Sequence, residues 1–579
     1  CGMKDVLSYL KHRHIDTTKP VLLSTVSGVA STKPALIRFF DKKVPSIAII
    51  TTKSFQVEVN PGNREPVICE TEAGCFGNSV GLRNPGLEQA LYELRTLKRE
   101  GPLRAVLNVS LSANSVEDFI TLVRAFDEVA DMVELNFSCP HASVGYGASI
   151  GCDPSIAAQY VKEIKAQTKA CKAPLFVKLT PNVEDIGLIA KEVMESGANG
   201  LVAINTVGPI VHIDPVAQQP ILQNKLGGKG GCSGKSIYQD ALKAIGAIRK
   251  ACGPDIPLLG MGGVTSGEDA ARLIAAGADA VGIGSALGTV DQRDWSAYLD
   301  AVKAEAEAVL QNKSLGSPPA SASYVTKERQ MAYQKHTVTG VKQYGKDTVI
   351  LTLDGSLDCK AGQFAFLWIP QVGEKPFSVA HNDPLSFVIK RRGPFSEQLC
   401  NLSEGSNLYV RGLYGAQLEN AVTEKALLLA GGTGVAVLPS LAKQLHEQQT
   451  SMRILVGTSE TVEGKALLED ELSLYGEFLC IADDGKPGRV LDVLDDLVLD
   501  AEQACYLVGP EIFMAIACRK LLGRGMASER IFLSMERSTL CGIGMCGECA
   551  CGDRLTCRWG TFLSYDYLLR EAPEVVTYD

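Results

Sequence analysis

Apolar and polar positions follow two different periods, one in each half of the chain. From about residue 21 to residue 310, short apolar runs are separated by longer stretches with a helical repeat of apolar positions. The runs predict strands at 46–51, 105–109, 132–137, 175–179, 200–205, 257–261 and 280–284, and the stretches predict helices at 116–129, 156–168, 183–196, 237–251 and 267–276. Repeated strand–helix units over this length predict an α/β chain that begins with a (β/α)8 TIM barrel.

The period changes after a linker rich in Ser, Pro and Ala. Residues 348–353, 364–369, 385–390 and 407–411 alternate apolar and polar positions, which predicts a small antiparallel barrel. The apolar run that ends at the glycines 431 and 432 then starts a predicted open parallel sheet. The predicted domains are the TIM barrel at 1–312, a linker at 313–335, the antiparallel barrel at 336–424, the parallel sheet at 425–535 and a cysteine-rich domain at 536–579.

Composition narrows the class of protein. The 579 residues are 46% hydrophobic and 21% charged, as in an ordinary globular protein. The net charge of −9 argues against nucleic acid or an anionic membrane as the main partner. Eighteen cysteines in so long a chain indicate reduced thiols and metal ligands. Because no signal peptide opens the sequence and glycines break its longest apolar run, we expect a cytoplasmic location.

Cysteines near the end of the chain have the spacing of an iron–sulfur site. Cys541, Cys546 and Cys549 form a C-x4-C-x2-C array, and Cys557 follows after seven further residues. This is the plant-type arrangement for a [2Fe–2S] cluster held by four thiolates. A structural zinc knot and a loop of free thiols are the alternatives, and Cys551 competes with Cys557 as the fourth ligand.

The residues that end the barrel strands are polar, and they predict a flavin and a substrate site. Gly262-Gly263 and Gly284-Ser285 follow the last two strands, where free backbone N–H groups can bind a phosphate, and Lys178 can reach a ring or a phosphate. Amide side chains at strand ends offer donors and acceptors to a planar heterocycle. Cys139, in a loop just past a strand, is a candidate base, although a buried structural cysteine is the plainer interpretation.

Ordered motifs of the first half resemble class 1 dihydroorotate dehydrogenases, among them Ile-Thr-Thr-Lys53-Ser, Glu-Leu-Asn136-Phe-Ser-Cys139-Pro, Val-Lys178-Leu-Thr-Pro-Asn182 and Gly-Met-Gly262-Gly263. The resemblance implies FMN bound by Ser27, Gly28, Lys53, Asn108, Lys178, Gly234, Gly262, Gly263, Gly284 and Ser285. It implies a pyrimidine held by Asn78, Asn136, Asn205 and Thr206, and catalysis by Cys139 as the base with Lys53.

One residue departs from that pattern. The chain has Ser-Cys139-Pro-His141 where dihydroorotate enzymes usually have Ser-Cys-Pro-Asn. The Asn at this position is expected to contact the substrate. A His at the same position is a point of resemblance to dihydropyrimidine dehydrogenases, which reduce uracil and thymine. The identity of the pyrimidine therefore stays open. A tRNA dihydrouridine synthase is a further alternative that the acidic charge disfavours, and an electron-transfer module with an inactive barrel is a non-enzymatic one.

The second half resembles the electron-transfer subunit of class 1B dihydroorotate dehydrogenase. Glu374-Lys375-Pro376-Phe377-Ser378 is similar to the Arg-Pro-x-Ser motif that binds FAD in the ferredoxin reductase superfamily. The resemblance implies FAD bound by Lys375, Pro376, Phe377, Ser378, Gly393 and Ser396, and NAD bound by Gly431, Gly432, Gly434, Asp484 and Gly509. No residue decides between NAD and NADP.

Together the parts predict one enzyme of pyrimidine biosynthesis. The resemblance implies that dihydroorotate is oxidised to orotate and that the electrons pass from FMN through [2Fe–2S] and FAD to NAD+. Because separate-subunit relatives pair through the barrel, a homodimer is expected.

Overall fold

The computed structural model describes residues 6–16, 18–137, 150–313, 318–419, 423–483 and 489–577. The chain divides into two compact units. The first comprises Cys1–Asp214, Gln218–Gln330 and Ile543–Glu548, and the second comprises Pro215–Ala217, Met331–Gly542 and Cys549–Asp579. Among the helices of the described ranges, none has the length and apolar character needed to cross a membrane.

The first unit is built on a closed barrel of parallel strands. Its strands are β1 (Leu23–Ser24), β2 (Ile47–Thr51), β3 (Ile68–Glu72), β4 (Cys75–Asn78), β5 (Val106–Leu111), β6 (Met132–Asn136), β7 (Leu175–Lys178), β8 (Gly200–Ala203), β9 (Val207–Val211), β10 (Lys229–Gly234), β11 (Leu258–Met261) and β12 (Ala280–Gly282). Eight of them close in the order β1-β12-β11-β8-β7-β6-β5-β2, which confirms the predicted (β/α)8 fold. The other four form an antiparallel sheet, β3-β4-β10-β9.

Helices alternate with these strands, and polar caps fix where several begin. They are α1 (Val6–Leu10), α2 (Pro34–Lys43), α3 (Leu87–Arg99), α4 (Val116–Phe126), α5 (Pro154–Gln167), α6 (Ile186–Glu195), α7 (Tyr238–Cys252), α8 (Gly267–Ala275) and α9 (Trp295–Leu310). The Ser115 and Asp185 side chains accept from the first-turn amides of α4 and α6, and Ser266 and Asp269 form a capping box on α8. Such caps satisfy amides that have no partner inside the helix.

The predicted strand ends were wrong by a few residues at the polar positions. The runs predicted at 200–205 and 280–284 are strands only to Ala203 and Gly282, because the residues that follow leave the ladder and form loops. Strand β1 has two residues, too few to show a period. Strands β5 and β6 are buried along their whole length, as expected for parallel strands covered on both faces.

The second unit contains an antiparallel sheet followed by a mostly parallel one. Its strands are β13 (Tyr333–Tyr344), β14 (Thr348–Leu353), β15 (Phe364–Ile369), β16 (Gly373–Phe377), β17 (Val379–Asn382), β18 (Leu385–Lys390), β19 (Asn407–Tyr414), β20 (Lys425–Gly431), β21 (Ser451–Thr458), β22 (Glu477–Ala482), β23 (Ala504–Val508), β24 (Ile531–Ser534), β25 (Ala550–Cys551), β26 (Arg554–Leu555) and β27 (Phe562–Ser564). Its helices are α10 (Pro394–Cys400), α11 (Leu438–Glu447), α12 (Glu469–Leu472), α13 (Val493–Asp496), α14 (Glu511–Gly523), α15 (Thr556–Trp559) and α16 (Tyr565–Glu571).

Strand order in this unit matches the predicted fold classes. The antiparallel sheet has seven strands in the order β16-β15-β19-β13-β14-β18-β17. The other sheet runs β22-β21-β20-β23-β24-β27, which is the 3-2-1-4-5-6 order of doubly wound dinucleotide-binding folds with an antiparallel last strand. Its neighbouring residues Leu427 and Leu428 belong to separate hydrophobic clusters, so both faces of the sheet are covered.

The stretch predicted as a linker is partly structured. A 3₁₀ helix covers Ala320–Ser323, and Ser321 donates its backbone N–H and its hydroxyl to the buried carboxylate of Glu305. Strand β13 begins at Tyr333, before the predicted end of the linker at residue 335. The division of the chain into five domains stays a prediction.

Candidate functional site

A chain of hydrogen bonds crosses the end of the barrel where the strands finish. Ser27 Oγ lies 3.1 Å from Ser54 Oγ, and Asn136 Nδ2 donates to Ser54 Oγ at 3.0 Å. Asn205 Nδ2 lies 3.4 Å from Asn136 Oδ1. The structure therefore brings together side chains from the ends of β1, β2, β6 and β8. Three of them, Ser54, Asn136 and Asn205, were predicted from the sequence to lie at separate strand ends.

A second branch of this network surrounds a buried charge. Ser110 Oγ donates to Glu134 Oε1 at 2.9 Å and Asn108 Nδ2 donates to Glu134 Oε2 at 3.3 Å. Lys178 Nζ lies 3.8 Å from Glu134 Oε1, and both side chains are almost completely buried. Asn108 Oδ1 is buried without a hydrogen-bond partner among the described residues. An unpaired buried acceptor is costly, so this atom fits a polar ligand at the barrel end.

Glycines form the wall next to the last strands. Gly262, Gly263 and Gly234 all have positive φ angles, a region that favours glycine. A Cβ on Gly263 would lie 2.8 Å from Gly234 O, and one on Gly284 would lie 2.5 Å from a methyl group of Val26. At these two predicted FMN contacts the backbone therefore packs against neighbouring atoms more closely than a Cβ would allow, so both positions require glycine.

The remaining predicted barrel residues have different environments. Asn78 lies at the end of β4 in the antiparallel sheet, with its Nδ2 3.4 Å from Gly231 O. Thr206 Oγ1 is buried without a hydrogen-bond partner in the described part of the chain, and Ser285 begins a 3₁₀ helix. Gly28 has a positive φ and open space around its Cβ position. Cys139 and His141 lie outside the described residues.

The hexapeptide Ile543–Glu548, from the middle of the cysteine motif, belongs to the barrel unit. Lys53 Nζ donates to Glu548 Oε1 at 3.1 Å, and Lys33 Nζ donates to Glu548 O at 2.7 Å. Burial alone would raise the pKa of Glu548, but the charges of Lys53 and Lys33 outweigh it and hold the pKa below its usual value. The predicted FMN ligand Lys53 is thus paired with a residue that the sequence did not single out.

A cavity of about 280 Å³ opens in the second unit beside the predicted FAD motif. Its wall includes three of the predicted FAD residues, Pro376, Phe377 and Ser378, together with Phe364, Val388, Lys390, Arg392, Thr433, Ala436, Val437, Met535, Glu536, Arg537, Thr539, Thr556 and Thr561. Three of these are cationic, and Arg537 Nε is buried with no hydrogen-bond partner among the described residues. The cavity therefore fits a ligand with both an apolar ring and anionic groups.

The other predicted FAD residues lie outside the cavity wall. The Lys375 side chain is exposed on β16. Ser396 Oγ accepts from the backbone N–H groups of Arg392 and Gly393, at 2.9 and 3.0 Å. Ser396 and Gly393 therefore shape the loop that carries the wall residue Arg392.

The predicted NAD glycines meet at the switch point of the parallel sheet. Gly431 ends β20 and Gly509 follows β23, its neighbour in the sheet. A Cβ on Gly434 would lie 3.2 Å from Gly509 N, and one on Gly509 would lie 3.3 Å from Gly431 N. Crevices at this point of open α/β sheets bind ligands. Gly432 begins the 3₁₀ helix that follows, and Asp484 lies outside the described residues.

Cysteines of the motif are buried and two of them are in contact. Cys541, Cys549 and Cys557 belong to the second unit, where Cys549 Sγ lies 3.3 Å from Cys557 Sγ. Cys546 is buried in the first unit, and Cys551 packs in a hydrophobic cluster with Leu563 and Leu568. The described residues contain no group of three or more His, Cys, Asp or Glu side chains arranged around a single metal ion.

A buried ion pair supports the backbone at the first of these cysteines. The Arg411 guanidinium pairs with both Glu374 oxygens, at 2.6 and 2.7 Å, and both side chains are fully buried. Arg411 also donates to the carbonyls of Cys541 at 2.8 Å and Leu540 at 3.3 Å. Its Cζ lies 3.8 Å from the centre of the Phe366 ring. The antiparallel sheet thereby fixes the start of the cysteine loop within the second unit.

Comparison with known proteins identifies the barrel. The sequence profile described as dihydroorotate dehydrogenase matches residues 12–303, just over half of the chain. The chain belongs to the dihydroorotate dehydrogenase family. It is 39% identical over 274 residues to "Dihydroorotate dehydrogenase B (NAD(+)), catalytic subunit" of Methanocaldococcus jannaschii, which covers 47% of this chain and 85% of that protein.

Two more relatives with the same name are similar. The protein of Methanothermobacter thermautotrophicus is 41% identical over 238 residues, covering 41% of this chain and 74% of its own length. The protein of Pyrococcus abyssi is 40% identical over 268 residues, covering 46% and 83%. A solved structure, described as an NADH-dependent reduced ferredoxin-NADP oxidoreductase, aligns with 41% of this chain and 93% of its own at 24% identity, with a TM-score of 0.37.

In this member of the dihydroorotate dehydrogenase family, the barrel residues fit FMN. The cavity of the second unit and the cysteine motif are compatible with the two redox groups expected from the sequence, FAD and [2Fe–2S]. The unpaired Asn108 oxygen and the close-packed glycines suit the flavin and its phosphate. The cationic cavity suits FAD. A [2Fe–2S] cluster takes two thiolates on each iron, so it needs cysteine pairs, such as the contacting Cys549 and Cys557, rather than one group around a single ion.

Sequence reasoning missed several residues of these sites. Glu134 carried a signal, because a carboxylate inside the apolar run Met132–Asn136 must be paired when the strand is buried. Glu548 lies between Cys546 and Cys549, and the motif was interpreted from the spacing of its cysteines alone. Arg392 precedes the predicted FAD residue Gly393 but was not selected, and Arg537 carried no local signal. The fold brings these two residues, 145 positions apart in the sequence, to one cavity wall.

Proposed function

We propose that this chain oxidises dihydroorotate to orotate and delivers the electrons to NAD+. The observation that carries the proposal is the amide and hydroxyl network of Asn136, Asn205 and Ser54 at the barrel end, in a chain of the dihydroorotate dehydrogenase family. The curated relatives are named as NAD+-dependent enzymes, which supports NAD+ as the acceptor. The cationic cavity and the cysteine motif of the second unit support the route to it.

The residues of the barrel have distinct roles in this reaction. Asn136 and Asn205 bind the amide edges of the pyrimidine, because each offers a donor and an acceptor. Lys178, held by Glu134, and Lys53 present cations to the flavin site. Cys139 takes the proton from the carbon next to the ring carbonyl and later releases it to solvent.

NAD+ accepts both electrons that dihydroorotate loses in the proposed reaction. When bound, FMN supplies a hydride acceptor at the neighbouring ring carbon, and the [2Fe–2S] cluster and FAD supply one-electron and two-electron carriers towards the nicotinamide. Overall, dihydroorotate and NAD+ give orotate, NADH and one proton. The cavity residues Pro376, Phe377 and Ser378 would hold the FAD ring, and the glycines at the switch point would hold the nicotinamide dinucleotide.

A second candidate is a dihydropyrimidine dehydrogenase acting on uracil or thymine. The observation that favours it is His141, which stands where dihydroorotate enzymes usually have Asn. The order of the second half, with an antiparallel flavin sheet before the parallel sheet and the cysteines, favours dihydroorotate.

Steady-state assays separate the two substrates. We expect NADH formation from NAD+ with dihydroorotate and not with dihydrouracil. Cys139→Ser should lower kcat/KM for dihydroorotate by about 10²- to 10⁴-fold, the usual contribution of a general base. Its rate of NADH oxidation by ferricyanide should be unchanged, since that reaction needs only the second unit. Cys171→Ser, at a partly buried helix-flanking cysteine, is the matched control. Turnover of dihydrouracil alone would instead establish the second candidate.

A further inference from the structure

We propose that Glu548 is a positioning residue for the flavin site: its carboxylate holds the Lys53 ammonium and offsets part of its charge. The inference rests on the proposed function, because it assumes that Lys53 contacts FMN. It adds a residue from the cysteine motif to the electrostatics of the barrel.

The ion pair between Lys53 and Glu548 is largely shielded from solvent. Lys53 Nζ and Glu548 Oε1 are 3.1 Å apart, and the two side chains are only 14% and 16% exposed. Charge pairs shielded from water interact more strongly than exposed ones. Lys53 is the second residue after β2 and precedes Ser54 of the hydrogen-bond network, so Glu548 acts at the end of the barrel where the flavin is proposed to bind.

The backbone around Glu548 is held by the loop that follows β1. Ala30 N donates to Met545 O at 2.8 Å, and Thr32 Oγ1 donates to Cys546 O at 3.0 Å. Gly547 has a φ of +73°, and a Cβ there would lie 2.2 Å from Thr32 Oγ1. The same loop carries the predicted FMN residues Ser27 and Gly28. The backbone next to Glu548 is therefore tied to the loop that carries the predicted FMN residues.

This arrangement has a redox consequence. Charge near the flavin ring tunes its reduction potential. With Glu548 present, the positive charge of Lys53 is partly compensated. Without the carboxylate, the uncompensated ammonium favours the reduced flavin, which is the more negatively charged form. Cys546, a predicted cluster ligand, lies on the same hexapeptide.

The test is the FMN midpoint potential of the full-length holoprotein, measured by spectroelectrochemistry. Glu548→Gln keeps the size of the side chain and removes its charge. We expect it to raise the potential by about 30 mV, which for a two-electron couple is a tenfold change in the reduced-to-oxidised ratio. Glu548→Asp should return the potential towards wild type. The control is Glu128→Gln, which breaks an exposed ion pair with Arg95 in the same unit and should leave the potential unchanged.

The outcomes distinguish this inference from the proposed function. An unchanged potential in Glu548→Gln with FMN bound overturns the inference alone. A shift equal in Glu548→Asp and Glu548→Gln also overturns it, because the carboxylate charge would then not matter. Wild-type protein that binds FMN but is not reduced by dihydroorotate overturns the proposed function and leaves the potential shift measurable. Wild-type protein without FMN overturns both.

Discussion

Arg411→Met is expected to destabilise the second unit by about 3–5 kcal/mol, the usual cost of removing one partner from a buried ion pair. Among the described residues, Glu374 would be left at 0% exposure with Tyr333 Oη as its remaining side-chain partner. The carbonyls of Leu540 and Cys541 would lose their donor as well. We therefore expect a lower unfolding temperature and a smaller amount of [2Fe–2S] cluster per chain.

Scanning calorimetry of the full chain, with iron content measured alongside, checks this result. Arg453→Met is the matched control, because Arg453 pairs with Glu477 at 38% and 71% exposure, where an ion pair contributes about 0–1 kcal/mol. The double variant Arg411→Met, Glu374→Gln removes the uncompensated charge and should recover part of the loss. If Arg411→Met is no more destabilising than Arg453→Met, the role given to the buried pair is wrong.

Cys557→Ser is expected to abolish the [2Fe–2S] signal, while Cys551→Ser keeps it. The reason is position: Cys557 Sγ lies 3.3 Å from Cys549 Sγ, whereas Cys551 packs among the side chains of a hydrophobic cluster. Loss of a thiolate ligand should slow dihydroorotate-dependent NAD+ reduction by more than the roughly 10- to 100-fold that follows loss of a residue merely supporting a ligand. Iron content and electron paramagnetic resonance of the dithionite-reduced proteins measure the effect.

The two cysteine variants control each other. Both replace a buried thiol by a hydroxyl in the same domain, so a general loss of folding would affect them alike. Direct NADH oxidation by ferricyanide should survive in both, since it bypasses the cluster. Loss of the cluster in Cys551→Ser with retention in Cys557→Ser would instead assign the fourth ligand to Cys551.

The fold could be predicted from the sequence because the spacing of apolar residues is regular within each strand and helix. Parallel strands such as β5 and β6 are buried along their whole length and mostly apolar, and the strands predicted at residues 348–353, 364–369 and 385–390 have the predicted bounds. Strand ends were less accurate, since side chains such as Asn205 look like strand positions but turn out of the ladder to make hydrogen bonds across the barrel.

Parts of the sites could not be read from the sequence because they depend on contacts between distant positions. Lys53 and Glu548 are paired across 495 positions, and Arg411 and Cys541 across 130. No local sequence pattern predicts contacts between residues so far apart in the chain. The family resemblance supplied most candidate residues. Some of them are close in space, such as Asn136 with Asn205 and Gly434 with Gly509, whereas Asn78 lies in the antiparallel sheet and Lys375 is exposed and outside the cavity. Their roles stay predictions.

An anaerobic spectral titration of the purified full-length protein tests the central claim most directly. Dihydroorotate should bleach the flavin absorption and then the cluster absorption, and NAD+ added afterwards should restore both with formation of NADH. That sequence would establish the substrate, the relay and the acceptor in one experiment. A protein whose chromophores are reduced by NADH but exchange no electrons with dihydroorotate would contradict the account.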